Sequence, residues 1–208
     1  MKVFGLTGGI GMGKSAAAAL LRERGVPVVD TDQLARDIVE PGQPALAEIQ
    51  RVFGKAITGS DGQLRRDALA QIVFADPAAR HSLEQITHPR ILELWQRQIQ
   101  VWRAEARPCA VVVIPLLFET GAEKEMDATI CVACSAATQR ARLRERGWTP
   151  EQIESRLAAQ WPVERKIARA DFVAWSEGAL AVLGAQLERI LCRGTTETGC
   201  GLGQSKAQ

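Results

Sequence analysis

Eight residues near the start of the chain, Gly8-Gly9-Ile10-Gly11-Met12-Gly13-Lys14-Ser15, constrain the fold more than any other feature. They fill every fixed position of the pattern G-x-x-x-x-G-K-S/T. Such a run suits a turn in which several backbone N–H groups close on one polyanion, because Cβ atoms would hold the chain away and positive φ is needed. Before it stands Val3–Leu6, a short apolar run of the kind found in a buried parallel strand. After it, Lys14–Arg24 is built of Ala, Leu, Arg and Glu, strong helix formers, with Gly25 where a C-terminal cap belongs. A helix starting on the loop aims its first N–H groups and its dipole at the anion. Lys14 supplies a mobile cation and Ser15 a hydroxyl ligand for Mg²⁺. The expected nucleotide cradle is therefore Gly8, Gly9, Gly11, Met12, Gly13, Lys14, Ser15 and Ala16, with Met12 contributing mainly its backbone. Gly11 to Ala16 also satisfies the dinucleotide fingerprint G-x-G-x-x-G/A, whose first glycine turns directly off the strand. Gly11 lies five positions past Leu6 and Gly8 only two, so the phosphate loop fits and the dinucleotide loop does not.

Val26–Val29 reads as a second buried strand ending at Asp30, which makes the first thirty residues one βαβ unit. Cys109–Ile114, Ala128–Val132 and Phe172–Ala174 read as further strands. Cys109 lies 79 positions past Asp30, whereas a whole βαβ motif takes about 30. The surplus has helical composition: Pro44–Phe53, Arg65–Phe74, a start at Asp76-Pro77, and Pro89–Ala106. Ser135 can cap a helix reaching about Arg146, and Thr149 with Gln152 has capping-box spacing for another. Glu177–Cys192 is a last amphipathic helix, and from Arg193 onward the chain reads as a polar, disordered tail. The fold class expected is α/β, a parallel sheet flanked by helices, with a helical subdomain inserted after the second strand.

Composition narrows the setting. The chain has 208 residues, 46% hydrophobic and 24% charged, with a net charge of +2, which is too near neutral for coating nucleic acid through bulk charge. Five scattered cysteines argue against a disulfide framework and for a reducing compartment. Apolar runs fall short of the roughly 20 residues of a membrane helix, and no secretory signal is visible. A soluble, cytoplasmic protein with no membrane or nucleic-acid partner is expected.

The chain contains no asparagine, so it has no N-K-x-D guanine reader, and it has no D-x-x-G. A small kinase passing a γ-phosphoryl group to a hydroxyl of a small acceptor remains. Asp30-Thr31-Asp32 stands at the end of the second strand, where ligands gather in an open parallel sheet. A carboxylate there can orient and deprotonate a hydroxyl. One of these residues can instead cap the next helix; Asp32 is the preferred base because Asp30 is placed to cap.

At this point the chain resembles the dephospho-CoA kinase family. The likeness is carried by Leu6 to Ser15, Asp30-Thr31-Asp32-Gln33-Leu34-Ala35-Arg36, Val39-Glu40-Pro41-Gly42, His88-Pro89, Pro115-Leu116-Leu117-Phe118-Glu119, Gln139-x-x-Arg142, Arg146, and Ala158-Ala159-Gln160. It spans about residues 3 to 190. The phosphate loop alone is generic, but these motifs in this order are specific. The resemblance implies transfer of the γ-phosphate of ATP to the ribose 3′-hydroxyl of dephospho-CoA, the last step of coenzyme A synthesis. It also implies a core of about residues 1–30, 108–134 and 170–192, an acceptor-binding helical insertion of about 31–107, a lid of about 135–169, and a tail of 193–208. Three departures stand out: Met12 where the family has Ser, Ala16 where it has Ser or Thr, and Ser176 where an Asn follows Asp171 by five. The alternatives are another small-molecule kinase, of nucleoside-monophosphate or shikimate type, and a nucleotide-dependent switch.

Arg140, Arg142, Arg144 and Arg146 alternate on one helix, so Arg142 and Arg146 share one face and Arg140 and Arg144 nearly the opposite one. Spacing alone does not choose between them; the resemblance implies that Arg142 and Arg146 close over the nucleotide, with Arg142 and Lys14 joining Asp32 in catalysis. It likewise implies acceptor contacts for Asp32, Arg36, His88, Pro115, Leu116 and Leu117. Against these stand plainer readings: an ion pair of Arg36 with Asp37 or Glu40, a structural His88 at a helix boundary before Pro89, and core packing for Pro115–Leu117. Cys131 and Cys134 lack a second ligand pair and read as core, as do Trp95 and Trp102, seven apart on a helix.

Overall fold

The first strand, β1 (Lys2–Thr7), is buried at every position after Lys2, as is β3 (Cys109–Val113) throughout and β4 (Ala128–Ala133) after its first residue. Strands covered on both faces have no solvent side to alternate with, which is why they read as continuous apolar runs. In this computed structural model, which describes residues 1–194, they join β2 (Val28–Asp30) and β5 (Phe172–Trp175) in a five-stranded sheet of order β2-β3-β1-β4-β5. β1 is central and pairs in parallel with both neighbours, Leu6 standing opposite Val113 on one side and Ile130 on the other. β4 and β5 are also parallel. The fold is the α/β parallel sheet expected.

Helix α1 (Lys14–Glu23) follows β1 directly. It presents Ala17, Ala18 and Leu21 to a core containing Phe4, Leu6, Val111 and Ile130, together with Leu183, Leu187 and Leu191 of the last helix, α9 (Leu180–Gly194). α9 thus includes Arg193 and Gly194; the remainder of the expected tail lies outside the described residues. Three helices stand between β4 and β5: α6 (Ala136–Glu145), α7 (Pro150–Ala158) and α8 (Val163–Arg169). Ser135 caps α6 through Thr138 N–H, and Thr149 with Gln152 forms the reciprocal capping box of α7.

Residues Asp30–Gln98 form a compact unit distinct from Met1–Val29 with Ile99 onward. This second unit holds α2 (Thr31–Asp37), α3 (Pro44–Phe53), α4 (Arg66–Ala75) and most of α5 (Pro77–Ala104). Its own core is Ile38, Val39, Ala45, Ile49, Ile57, Leu69 and Ile86. One expectation is overturned: Pro89 does not begin a helix but lies inside α5, so His88 is a mid-helix residue. An interior proline removes one ladder bond and costs about 3 kcal/mol. Here Leu83 and Ile86 before it and Ile91 and Leu94 after it all pack on the same core, and that burial carries the helix through. Among the described residues no helix is long and apolar enough to cross a membrane.

Candidate active site

The loop between β1 and α1 has glycine where nothing larger fits. Gly8 has φ +148°, and a Cβ there would stand 2.3 Å from the Val132 carbonyl oxygen of β4. Gly13, at φ +94°, would bring a Cβ within 2.8 Å of the Ser176 side chain. Gly13 is the N-cap of α1, so no side chain caps the helix, and the first turn holds no acidic residue. Uncapped N–H groups at a helix start are what an anion needs. Lys14 opens that helix, its Nζ donating to the carbonyls of Gly8 at 2.7 Å and Gly9 at 3.0 Å. Ser15 is exposed in the same turn, and Ala16 follows half-buried.

The crest of the loop is held from α6, from the end of α7 and from the end of β5. The Ile10 carbonyl accepts from Gln139 Nε2 at 2.6 Å, and the Ile10 N–H donates to Gln160 Oε1 at 3.1 Å. Met12 does more than supply backbone. Its side chain is buried, its sulfur accepting from Cys134 N–H at 3.2 Å and Cys134 Sγ at 3.4 Å, while its carbonyl accepts from Ser176 Oγ at 2.8 Å. Arg142 Nη1 donates to Ser176 Oγ at 2.9 Å and Nη2 to the Ser176 carbonyl at 2.6 Å. Of the four alternating arginines, then, Arg142 lies against the loop. Arg140 points to α7 and pairs with Glu154 at 2.9 Å, and Arg144 and Arg146, the latter the C-cap of α6, are exposed.

Beyond β3 the Pro115 carbonyl accepts from two donors, Thr7 Oγ1 at 3.1 Å and Lys166 Nζ at 2.8 Å. Lys166 is fully buried and pairs with Glu119 at 2.8 Å. The paired Glu119 Oε1 also accepts from the Trp161 N–H at 3.0 Å. Leu117 is fully buried and Leu116 exposed, so core packing accounts for Leu117. Burial pushes the Cys131 thiol up to about 11 against the opposing pull of the Lys166 and Lys14 cations. Burial also raises Cys134, with the Arg142 cation acting the other way. Glu177 is held below the usual carboxylate range by hydrogen bonds from Ser135 and Thr138, with Arg142 adding a smaller contribution.

Asp32, Arg36 and His88 belong to the second unit. Asp30 is the N-cap of α2, its Oδ1 accepting from the Asp32 N–H at 2.9 Å. Asp32 is exposed in the first turn of α2, Arg36 exposed in its last, and His88 exposed on α5. The carboxylates suggested as ion-pair partners of Arg36 are engaged elsewhere, Asp37 with Gln33 and Glu40 with Arg66.

Sequence reasoning gave no role to Gln139, Gln160, Glu119 or Lys166, and noticed Ser176 only as a departure. The first three sit inside the motifs of the resemblance, which was a usable signal. Lys166 carried none.

The dephospho-CoA kinase family profile matches residues 2–181. A curated dephospho-CoA kinase of Anaeromyxobacter dehalogenans is 50% identical over 192 residues, 92% of this chain and 91% of that protein. A crystal structure from Thermus thermophilus aligns with TM-score 0.83 and 37% identity, covering 95% of this chain and 98% of the other. A dephospho-CoA kinase structure from Campylobacter jejuni, at 22% identity and TM-score 0.64 over 94% of this chain and 98% of that one, shares the fold. A glycine cradle with its lysine, in the order of strands and helices described and matched along nearly the whole sheet-bearing chain, places this protein in the dephospho-CoA kinase family.

Proposed function

We propose that the chain transfers the γ-phosphoryl group of ATP to the 3′-hydroxyl of the ribose of dephospho-CoA, giving coenzyme A and ADP. The observation that carries the reading is the Gly8–Ser15 cradle, closed to any Cβ at Gly8 and Gly13, in a chain of this family. The loop amides and Lys14 hold the β- and γ-phosphates, and Arg142, with Arg146 closing from the lid, balances their charge. Asp32 accepts the hydroxyl proton, the freed oxygen attacks the γ-phosphorus in line, and the bond from that phosphorus to the bridging oxygen of ADP breaks. Arg36, His88, Pro115 and Leu116 form the acceptor side of the proposal.

The exposed Ser15 hydroxyl at the head of α1 fits a hard cation that prefers oxygen ligands. Ser15 would hold Mg²⁺ there, and the ion would supply charge neutralisation to the phosphates.

The test is incubation of the protein with ATP, Mg²⁺ and dephospho-CoA, with products read by mass and ADP release followed by a coupled assay. Coenzyme A and acceptor-stimulated ADP are expected. Equal stimulation by AMP or shikimate, or ADP release indifferent to acceptor, would overturn the assignment.

A further inference from the structure

Ser176 is the first residue after β5 and is 6% exposed. Its N–H donates to the Ala133 carbonyl at 2.8 Å, so its backbone is fixed to the end of β4. The hydroxyl is used in both senses. It donates its one proton to the Met12 carbonyl and accepts from Arg142 Nη1. The Ser176 carbonyl takes the second arm of the same guanidinium. One residue therefore holds both prongs of the planar fork, which sets its orientation as well as its place. Gly13 makes the approach possible, since a Cβ on it would collide with Ser176 at 2.8 Å.

Arg142 lies on α6, which is one of the elements gripping the loop; Gln139, one turn earlier, holds the Ile10 carbonyl. Without the Ser176 hydroxyl the Met12 carbonyl loses that donor, and Arg142 keeps the Ser176 carbonyl at 2.6 Å and a long contact to the Gly11 carbonyl at 3.5 Å. A long, half-exposed arginine would then turn among rotamers that the hydroxyl now excludes.

We propose that Ser176 is a positioning residue for nucleotide binding, acting through Arg142 and the Met12 carbonyl to hold the guanidinium and the phosphate loop in one arrangement. The proposal rests on the reading of loop and Arg142 as the nucleotide site. It makes no demand on the acceptor side.

The experiment compares wild type with Ser176→Ala, Ser176→Thr, Arg142→Ala and the Ser176→Ala/Arg142→Ala pair. ADP affinity is measured by calorimetry with and without Mg²⁺, and KM is measured for each substrate. Ser176→Ala is expected to weaken ADP and ATP binding about tenfold, the scale of one hydrogen bond to a charged group, with KM for dephospho-CoA unchanged. Ser176→Thr, which keeps a hydroxyl, recovers most of the affinity. In the Arg142→Ala background the same change costs clearly less than about tenfold, because only the Met12 carbonyl is left for the hydroxyl to act through. Unchanged ADP affinity in Ser176→Ala overturns the proposal. So does a full tenfold loss in the Arg142→Ala background, or an equal rise in both KM values. A wild type that binds ADP but does not turn over dephospho-CoA would sink the proposed function and leave the calorimetric test of Ser176 intact.

Discussion

Hydrogen bonding separates the two carboxylates of Asp30-Thr31-Asp32. Asp30 caps α2 by accepting from the Asp32 N–H, a contact worth about 1 kcal/mol to the helix, while Asp32 holds an exposed place in the first turn. If Asp32 is the base, Asp32→Asn keeps the shape and removes the proton acceptor. Turnover should fall by about 10²–10⁴-fold, with ADP affinity near that of wild type. Turnover within about threefold of wild type in steady-state assays would move the base assignment elsewhere. The phosphate loop is legible in sequence because its demand is local: within eight consecutive residues, four fixed positions must lack a side chain or carry a particular one. Ser176 is not, because its meaning depends on a carbonyl 164 positions away. Met12 illustrates the same limit from within the motif, since the partner of its sulfur is Cys134.

Among the elements, α8 is tied to the end of β3 by a buried charge. Lys166 sits in a seven-residue helix whose other basic residues stay at the surface or on rings, Arg165 lying 3.4 Å from the Trp161 ring centroid. Nothing in its sequence neighbourhood marks it as the buried one. It is satisfied by the Pro115 carbonyl and by Glu119, which also receives the Trp161 N–H. Removing one member of a buried pair strands the other, at about 3–5 kcal/mol, whereas replacing both can be nearly neutral. Lys166→Met should therefore lower the unfolding free energy by that range in urea titration. Lys166→Met with Glu119→Gln should recover more than half of it. A double variant no more stable than the single would mean that the Pro115 contact, and not the ion pair, is what Lys166 supplies. α5 shows the opposite failure of local reading. His88-Pro89 looks like a boundary by backbone rules, and only the burial of Ile86 with Leu83, Ile91 and Leu94 explains an unbroken helix.

For the whole molecule the informative fact is that apolar burial is divided. Residues beyond β2 contain more chain than a crossover needs, and their helical composition is legible. Where that unit ends is not, because α5 runs from Pro77 to Ala104 while the unit closes at Gln98, and a continuous helix carries no mark of the change. Each unit has a core of its own: Ile49 is fully buried in one, Leu187 in the other. Ile49→Ala and Leu187→Ala delete comparable volume, at about 2–5 kcal/mol each. Separate cores imply separate cooperative openings. Under native conditions Ile49→Ala should speed hydrogen exchange of the α3 and α4 amides while leaving the β1, β3 and β4 amides as slow as in wild type. Leu187→Ala should do the reverse, loosening the sheet and α9 first. Peptide-resolved exchange followed by mass spectrometry reads both. If either variant accelerates exchange equally in 30–98 and in the sheet, the two cores open as one, and the division of burial has no thermodynamic counterpart.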